Sequence, residues 1–243
     1  MRVIGVIPAR LKSSRLPEKA LKIIDGLPMI VHVYKRAEMC QDLDDLYVAT
    51  DSQQISEVVK EHGGKTIMTS ERAATGTDRI AEAVSEMECD LVVNIQGDEP
   101  LVRPEHISAA IKALEDQAVQ VSCLSTSSTN KNDKNEIKVV FDKRSNVLYY
   151  SRTDIPSDKR VKVKTHYKQY CIYCFRKEFL KKFTEMEQSP LEKIEYVELL
   201  RAVENGFVVR NVNVNSNSKA VDTEDDLKEV EKLMKMDDLR GKY

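Results

Sequence analysis

Short apolar runs alternate with amphipathic stretches through the first half of the chain. Val3 to Ile7 is a continuous apolar run stopped by Pro8, a residue that cannot donate to a β-ladder. It predicts a buried parallel strand. Gly26-Leu27-Pro28 marks a turn that places Pro28 at the first position of a helix, and Met29, Ile30, Val33, Tyr34 and Ala37 then recur at helical spacing. Leu46 to Thr50 predicts a second buried strand, and Asp51 or Ser52 a cap for the helix carrying Ile55, Val58 and Val59. Gly63-Gly64 ends that helix before a third strand over 65–68. Thr75-Gly76-Thr77-Asp78-Arg79 opens a helix whose buried side is Ile80, Ala83, Val84 and Met87, and the run Asp90 to Ile95 reads as a central strand. A βαβαβ order with short connections implies an α/β fold with a doubly wound, mostly parallel central sheet.

The second half changes rhythm. A helix is expected from Pro104 through His106 to Leu114, then a strand over Val119 to Ser125. Ser127 to Glu136 is polar and aperiodic, which reads as a loop, whereas 137–141 and 146–151 alternate like strands of a smaller antiparallel extension. Lys159 to Lys168 reads as a solvated basic loop before a strand over Tyr170 to Phe175. Phe179, Leu180 and Phe183 form one side of a helix. Ser189-Pro190-Leu191-Glu192 is a capping box, opening a helix that continues through Ile194, Val197, Leu200, Arg201 and Val203 to Gly206. After a strand within 207–214, Thr223 caps the last helix, with Val221 packing on Leu227 across the cap and Val230, Leu233 and Met234 continuing its stripe.

Charge narrows the possible functions. The chain has 38 Lys and Arg against 40 Asp and Glu in 243 residues, so it lacks the global basic field expected of a nucleic-acid binder. It has no apolar run long enough to span a bilayer, and its first residues enter a strand at once, so no membrane partner and a cytoplasmic location are expected. The five cysteines are scattered, and Cys171 and Cys174, though spaced C-x-x-C, would point to opposite faces of a strand. His32, His62, His106 and His166 read as structural or exposed, and no Ser-His-Asp or Cys-His arrangement is apparent.

Two segments carry the candidate chemistry. The loop after the first strand holds Arg10, Lys12, Arg15 and Lys19, with Ser13 and Ser14 among them. Cations at the carboxyl end of a first strand suit a polyphosphate, because Arg forks match phosphate oxygens and Lys supplies a movable point charge. Gly76 permits close approach of a ligand, and the N–H groups at that helix start can meet an oxyanion. The second segment is Gln96-Gly97-Asp98-Glu99-Pro100, which places two carboxylates in a tight turn at the end of the central strand. Carboxylates there call for a counter-charge, and Mg²⁺ favours one or two of them plus phosphate oxygens.

With these pieces placed, the sequence resembles the 3-deoxy-manno-octulosonate (Kdo) cytidylyltransferases, or CMP-Kdo synthetases, of the Rossmann-like nucleotide-diphospho-sugar transferase fold. The resemblance rests on Ile7 to Lys19, Pro28 to Val33, Ala49-Thr50-Asp51, Thr75 to Arg79, Val93 to Leu101, Tyr150-Ser151-Arg152 with Ile155-Pro156, Ser189 to Glu192 and Val221-Asp222-Thr223, in the family's order. It implies an enzyme that joins CTP to a sugar acid, giving a CMP-sugar and pyrophosphate. It also implies a homodimer. Arg10, Arg15 and Lys19 would hold the triphosphate; Ala9, Thr75 and Gly76 would lie near the base and ribose, and Gln96 near the nucleotide. Asp98 and Asp222 would bind Mg²⁺, and Arg10, Lys19, Asp98 and Asp222 would carry catalysis. Arg152, Gln169, Tyr173 and Glu198 would contact the acceptor. The chain is then a single domain, with about 1–125 and 205–243 forming the nucleotide-binding core and about 126–204 the sugar-binding and dimerisation portion.

The acceptor end departs from the family pattern. Gln169 stands where the family has His, and Leu199 where it has Gln. The first change removes a cation, the second an amide able to bond sugar hydroxyls. The expected acceptor is therefore Kdo or a related 2-keto sugar acid, with Arg152, Lys164 or Lys168 available to its carboxylate. A different sugar, sugar phosphate or phosphonate acceptor, a non-catalytic nucleotide-binding module, and an interaction protein using its basic segment are the competing readings.

Overall fold

A computed structural model describes residues 1–13, 15–216 and 218–243. Ser14 of the basic loop lies outside the described residues. In chain order the elements are β1 (Val3–Ala9), β2 (Ile23–Ile24), β3 (Leu27–Pro28), α1 (Met29–Glu38), β4 (Asp45–Thr50), α2 (Gln53–Glu61), β5 (Thr66–Met68), α3 (Gly76–Ala83), β6 (Leu91–Ile95) and α4 (Pro104–Lys112). The chain goes on as β7 (Val121–Ser128), β8 (Lys138–Phe141), β9 (Val147–Ser151), β10 (His166–Arg176), α5 (Lys177–Glu185), α6 (Pro190–Glu195), α7 (Leu200–Glu204), β11 (Val209–Asn213) and α8 (Glu224–Met236). Among the described residues no helix is long and apolar enough to cross a membrane.

The chain divides into two compact units, Met1–Ser108 with Asn217–Tyr243, and Ala109–Ser216. In the first, β6, β1, β4 and β5 lie side by side and all parallel, with Val6 facing both Tyr47 and Asn94. β1 and β6 are buried almost throughout, as continuous apolar strands in a covered parallel sheet must be. Ser52 caps α2, its Oγ accepting from Ile55 N–H at 3.4 Å. The C-terminal helix α8 belongs to this unit: Leu227, Val230 and Met234 pack with Leu16, Ile24, Met29, Leu101 and Val221 in one buried cluster. That cluster pins the basic loop through Leu16 and the 221–222 segment through Val221.

In the second unit β7 pairs parallel with β11 and antiparallel with β10, and β8 pairs antiparallel with both β10 and β9. Strands β7 and β11 therefore sit in this unit, where the sequence had grouped them with the nucleotide-binding portion. Both β7 and β10 run longer than expected. Ser127 and Ser128 pair with Tyr167 and His166, and Phe141 and Tyr167 meet with ring centroids 5.0 Å apart. The start of the expected polar loop and the end of the expected basic loop are thus strand residues ordered by each other.

The single helix expected over 190–206 is two. α6 ends at Tyr196, which is left-handed with φ 56°, before α7 begins at Leu200. Arg152 takes the carbonyls exposed by the break, donating from Nε to Glu195 O at 2.7 Å and from Nη2 to Tyr196 O at 3.2 Å. The buried pair Arg201–Glu192, at 2.6 Å, staples the two helices together, while Glu192 also accepts from Ser189 N–H as the capping box predicts.

Candidate functional site

Strand β1 delivers the basic loop and β6 the acidic turn, at the same edge of the parallel sheet. Adjacent parallel strands end together, so residues just past Ala9 and Ile95 are brought together. Gly97 fits here because its Cα faces the chain of β1: a Cβ on it would lie 2.9 Å from Pro8 O and 3.4 Å from Ile30 Cδ1. Gly76 has a similar setting, 3.3 Å from the Pro8 ring, so its closest approach is to protein.

Lys19 is the centre of the site. Its Nζ donates to Asp98 Oδ2 at 2.7 Å and to Asp222 Oδ1 at 3.1 Å. Arg15 reaches the same Asp222 oxygen at 2.9 Å. The two carboxylates meet because their backbones are tied: Val221 N–H donates to Asp98 O at 2.9 Å, and Ser218 Oγ to Glu99 Oε2 at 2.6 Å. Burial alone would lower the Lys19 pKa, but Asp98 and then Asp222 outweigh it and hold the ammonium charged above its ordinary range.

The rest of the nucleotide set takes structural partners. Arg10 is exposed, and its Nη2 donates to Ala73 O at 2.6 Å, tying the basic loop to the segment before α3. Thr75 caps α3: its Oγ1 accepts from Asp78 N–H at 3.1 Å, while Asp78 accepts from Thr75 N–H at 2.9 Å. The first-turn donor of Asp78 expected to meet a ligand is therefore already bonded. Gln96 donates to Asn94 Oδ1 at 2.9 Å, and Asn94 to Thr77 Oγ1 at 3.4 Å, so Gln96 is oriented by a buried relay between β6 and α3. Sequence reasoning missed Asn94. Its signal was a lone amide inside the apolar run Leu91 to Ile95. It also missed the fully buried Arg79, which bridges Asp51 Oδ2 at 2.8 Å and Thr69 Oγ1.

The donor set fits Mg²⁺. Two carboxylates from separate segments already converge on one cation, Lys19 Nζ. Among the described residues no group of three or more His, Cys, Asp or Glu side chains is built to hold a metal. Two carboxylates with remaining ligands from phosphate and water is the arrangement Mg²⁺ favours.

The acceptor candidates lie in the second unit. Arg152 does not present a free fork: besides Glu195 and Tyr196 its guanidinium bonds Lys134 O at 3.0 Å, and its N–H bonds Glu195 Oε2 at 2.8 Å. Three backbone carbonyls engage its guanidinium. Lys168 pairs with Glu136 at 3.0 Å, and Lys164 is exposed. Tyr173 is buried, and burial, with Cys171 and Glu198 adding to it, raises its pKa well above the ordinary range, so it is a neutral phenol. Leu199 is fully buried as an apolar core residue. Gln169 pairs across to Ser125, and its Nε2 is a buried donor with no partner among the described residues.

A family model described as Cytidylyltransferase matches residues 4–228. The 3-deoxy-manno-octulosonate cytidylyltransferase of Syntrophotalea carbinolica is 41% identical, over 95% of this chain and 98% of its own. The 8-amino-3,8-dideoxy-manno-octulosonate cytidylyltransferase of Shewanella pealeana is 40% identical, over 98% of this chain and all (100%) of its own. Among solved structures, CMP:2-keto-3-deoxy-manno-octonic acid synthetase complexed with CTP superposes with a TM-score of 0.93 at 35% identity, covering 97% of this chain and 99% of that one.

Proposed function

The chain belongs to the cytidylyltransferase family, and from that premise we propose that it couples CTP to a 2-keto-3-deoxy sugar acid, Kdo or a close relative, releasing pyrophosphate and forming the CMP-sugar. The observation that carries the reading is the convergence of Lys19 and Arg15 on Asp98 and Asp222 at the end of the parallel sheet.

The anomeric hydroxyl of the acceptor attacks the α-phosphorus, its proton leaves, and the bond to pyrophosphate breaks. Such a transfer needs positioning and charge neutralisation more than covalent chemistry by the protein. Arg15 and Lys19 stabilise charge building on the departing pyrophosphate. Arg10, anchored on Ala73 O, sets the distance between the basic loop and the segment leading to α3. The Gln96–Asn94–Thr77 relay holds the Gln96 amide in one orientation for the nucleotide. Mg²⁺, when bound by Asp98 and Asp222, would neutralise phosphate oxygens and favour ionisation of the attacking hydroxyl. The acceptor residues are Arg152, Gln169, Tyr173 and Glu198 of the second unit, Arg152 also bonding the carbonyls of Glu195 and Tyr196. The departures at Gln169 and Leu199 bear on which sugar acid is preferred.

The chain acts as a homodimer in this reading. Leu148, Ile194 and Tyr196 of the second unit are 58%, 75% and 83% exposed, apolar surface suited to a second copy. A reducing cytoplasm suits its five scattered cysteines.

Pyrophosphate release with CTP, Mg²⁺ and Kdo, against UTP, ATP and no-acceptor controls, tests the activity. Release that needs both CTP and a 2-keto sugar acid supports it. Protein that binds CTP but releases no pyrophosphate with any sugar acid overturns the acceptor class, and failure to bind CTP overturns the whole reading.

A further inference from the structure

One face of the second unit's sheet carries a set of polar side chains that its own fold does not satisfy. The register of β11, β7 and β10 arranges them in rows. Asn213 and Gln169 are the direct partners of Ser125 on either side, and Asn211 and Tyr173 are the direct partners of Cys123 one row on. Directly paired residues point to the same face of a sheet, so all six share it. Three of them hold a buried polar atom with no hydrogen-bond partner among the described residues: Ser125 Oγ, Gln169 Nε2 and Asn211 Nδ2. Ser125 and Asn211 are 0% and 3% exposed. Unsatisfied polar atoms at this depth are destabilising, and they are rare singly, so three on one face need a cause. The first row opens outward, since Asn213 is exposed and Gln169 half-buried on the two sides of Ser125.

A relay fixes which way the Asn211 amide points. Tyr150 OH donates to Cys123 Sγ at 2.8 Å, and Cys123 Sγ donates to Asn211 Oδ1 at 3.9 Å. Burial pushes the Cys123 thiol up to about 12, so it keeps its proton and remains a donor. Asn211 Oδ1 is therefore taken, and Nδ2 is the atom turned to the face.

We infer that Ser125 and Asn211, together with Gln169, form a subsite for a neutral hydroxyl of the sugar-acid acceptor, and that this row selects hydroxyl over ammonium at that position. This rests on the proposed function. The two amide N–H groups donate and the Ser125 hydroxyl can do either, which matches the lone pairs of a sugar hydroxyl. An ammonium has no lone pair to offer, and amide donors on this face reject it. The two acceptors named for the relatives, 3-deoxy-manno-octulosonate and its 8-amino-8-deoxy counterpart, differ in this respect. A site built to bond a hydroxyl discriminates strongly against a partner that leaves its groups unpaired.

The test is steady-state pyrophosphate release by full-length protein with CTP and each of the two sugar acids. Wild type is expected to use Kdo at least tenfold better, in kcat/KM, than the 8-amino compound. Ser125→Ala removes only a hydroxyl. It should raise the KM for Kdo about tenfold while the KM for CTP stays at its wild-type value and the melting temperature, relieved of a buried unsatisfied hydroxyl, does not fall. Asn211→Asp replaces a donor by an acceptor and should shift preference toward the 8-amino compound. Unchanged KM for Kdo in Ser125→Ala overturns the inference and leaves Ser125 as a core defect, whatever the melting temperature does. Wild-type preference for the 8-amino compound overturns it as well. Absence of turnover by wild type with either sugar acid removes the proposed function itself, a result distinguishable from both, and the inference goes with it.

Discussion

Gly97→Ala is a perturbation whose size can be worked out from the structure. The added Cβ would lie 2.9 Å from Pro8 O, 3.4 Å from Ile30 Cδ1 and 3.5 Å from Ile7 Cγ2. Ordinary contact begins near 3.4 Å, so the first approach is short by about 0.5 Å. The obstructing atom is a backbone oxygen of β1, which is held on both sides by β4 and β6 and cannot swing away. The turn carrying Gly97 must move instead. Gly97 is not in the left-handed region, so space alone is at issue. Overpacking of this kind destabilises by about 1–3 kcal/mol. At about 2–4 °C per kcal/mol for a chain of this length, the melting temperature should fall by several degrees. The shift passes directly to Asp98, whose carboxylate is held to Lys19 at 2.7 Å and whose carbonyl is held to Val221. Displacing a positioned group by 1 Å reduces turnover by about a hundredfold, so half that distance should remove at least about tenfold. Gly76→Ala is the internal control for the melting temperature alone, because its Cβ would meet only the Pro8 ring, at 3.3 Å, which can repucker. Differential scanning fluorimetry and pyrophosphate release check both variants. A Gly97→Ala protein with wild-type melting temperature and rate would refute the argument that Pro8 fixes the position of the acidic turn.

Lys19→Met leaves Asp98 and Asp222 facing each other without their shared cation. Turnover should fall about a hundredfold or more, and Mg²⁺ alone should raise the melting temperature further than it does in wild type; equal Mg²⁺ shifts would show that lysine and metal do not share the carboxylates. Arg152→Ala frees the carbonyls of Glu195, Tyr196 and Lys134 and should lose about 2–3 kcal/mol of stability. If instead its melting temperature is unchanged and only the KM for the sugar acid rises, Arg152 binds substrate and its role at the α6–α7 break is incidental. Glu136 is opposed by burial, but Ser128, Lys168 and Asn130 hold its pKa below the usual 4.5. Its stabilisation is therefore complete above about pH 4.5 and is lost as pH falls through the lower folded value, so Glu136→Gln should flatten that part of the urea-midpoint profile. A variant profile parallel to wild type below pH 4.5 would contradict this.

The parallel strands were legible because a covered sheet demands continuous apolar runs, and Val3 to Ile7 and Leu91 to Ile95 are such runs. Caps were legible for a similar reason: Ser52 and Thr223 each bond the backbone within three residues, a contact that sequence spacing reports directly. The α6–α7 break was not legible. Ile194, Val197 and Leu200 keep helical spacing, yet Ile194 is 75% exposed. The break depends on Arg152, distant in sequence, which supplies donors to the carbonyls that the turn at Tyr196 exposes. Local periodicity has no record of such a donor. The extension of β7 and β10 escaped notice likewise, since Ser127 and Lys168 are strand residues only because each pairs with the other strand.

The candidate site shows the same division between local and distant information. The sequence reveals a loop dense in cations and a turn dense in acids, and their chemistry follows from residue type. It does not reveal that they neutralise each other. Lys19 and Asp222 are 203 positions apart, and they meet through the Val221–Asp98 backbone bond and the packing of Val221 and Leu16 in one cluster. The cations a triphosphate would take are thus paired with the acids a divalent metal would take. Binding of the nucleotide together with its metal would then be an exchange of partners, with Lys19 and Arg15 passing to phosphate as Asp98 and Asp222 pass to metal. Charges held converged by each other need little rearrangement to meet that ligand. The electrostatic work of gathering them is done by the fold, through α8 and β6, before the nucleotide arrives.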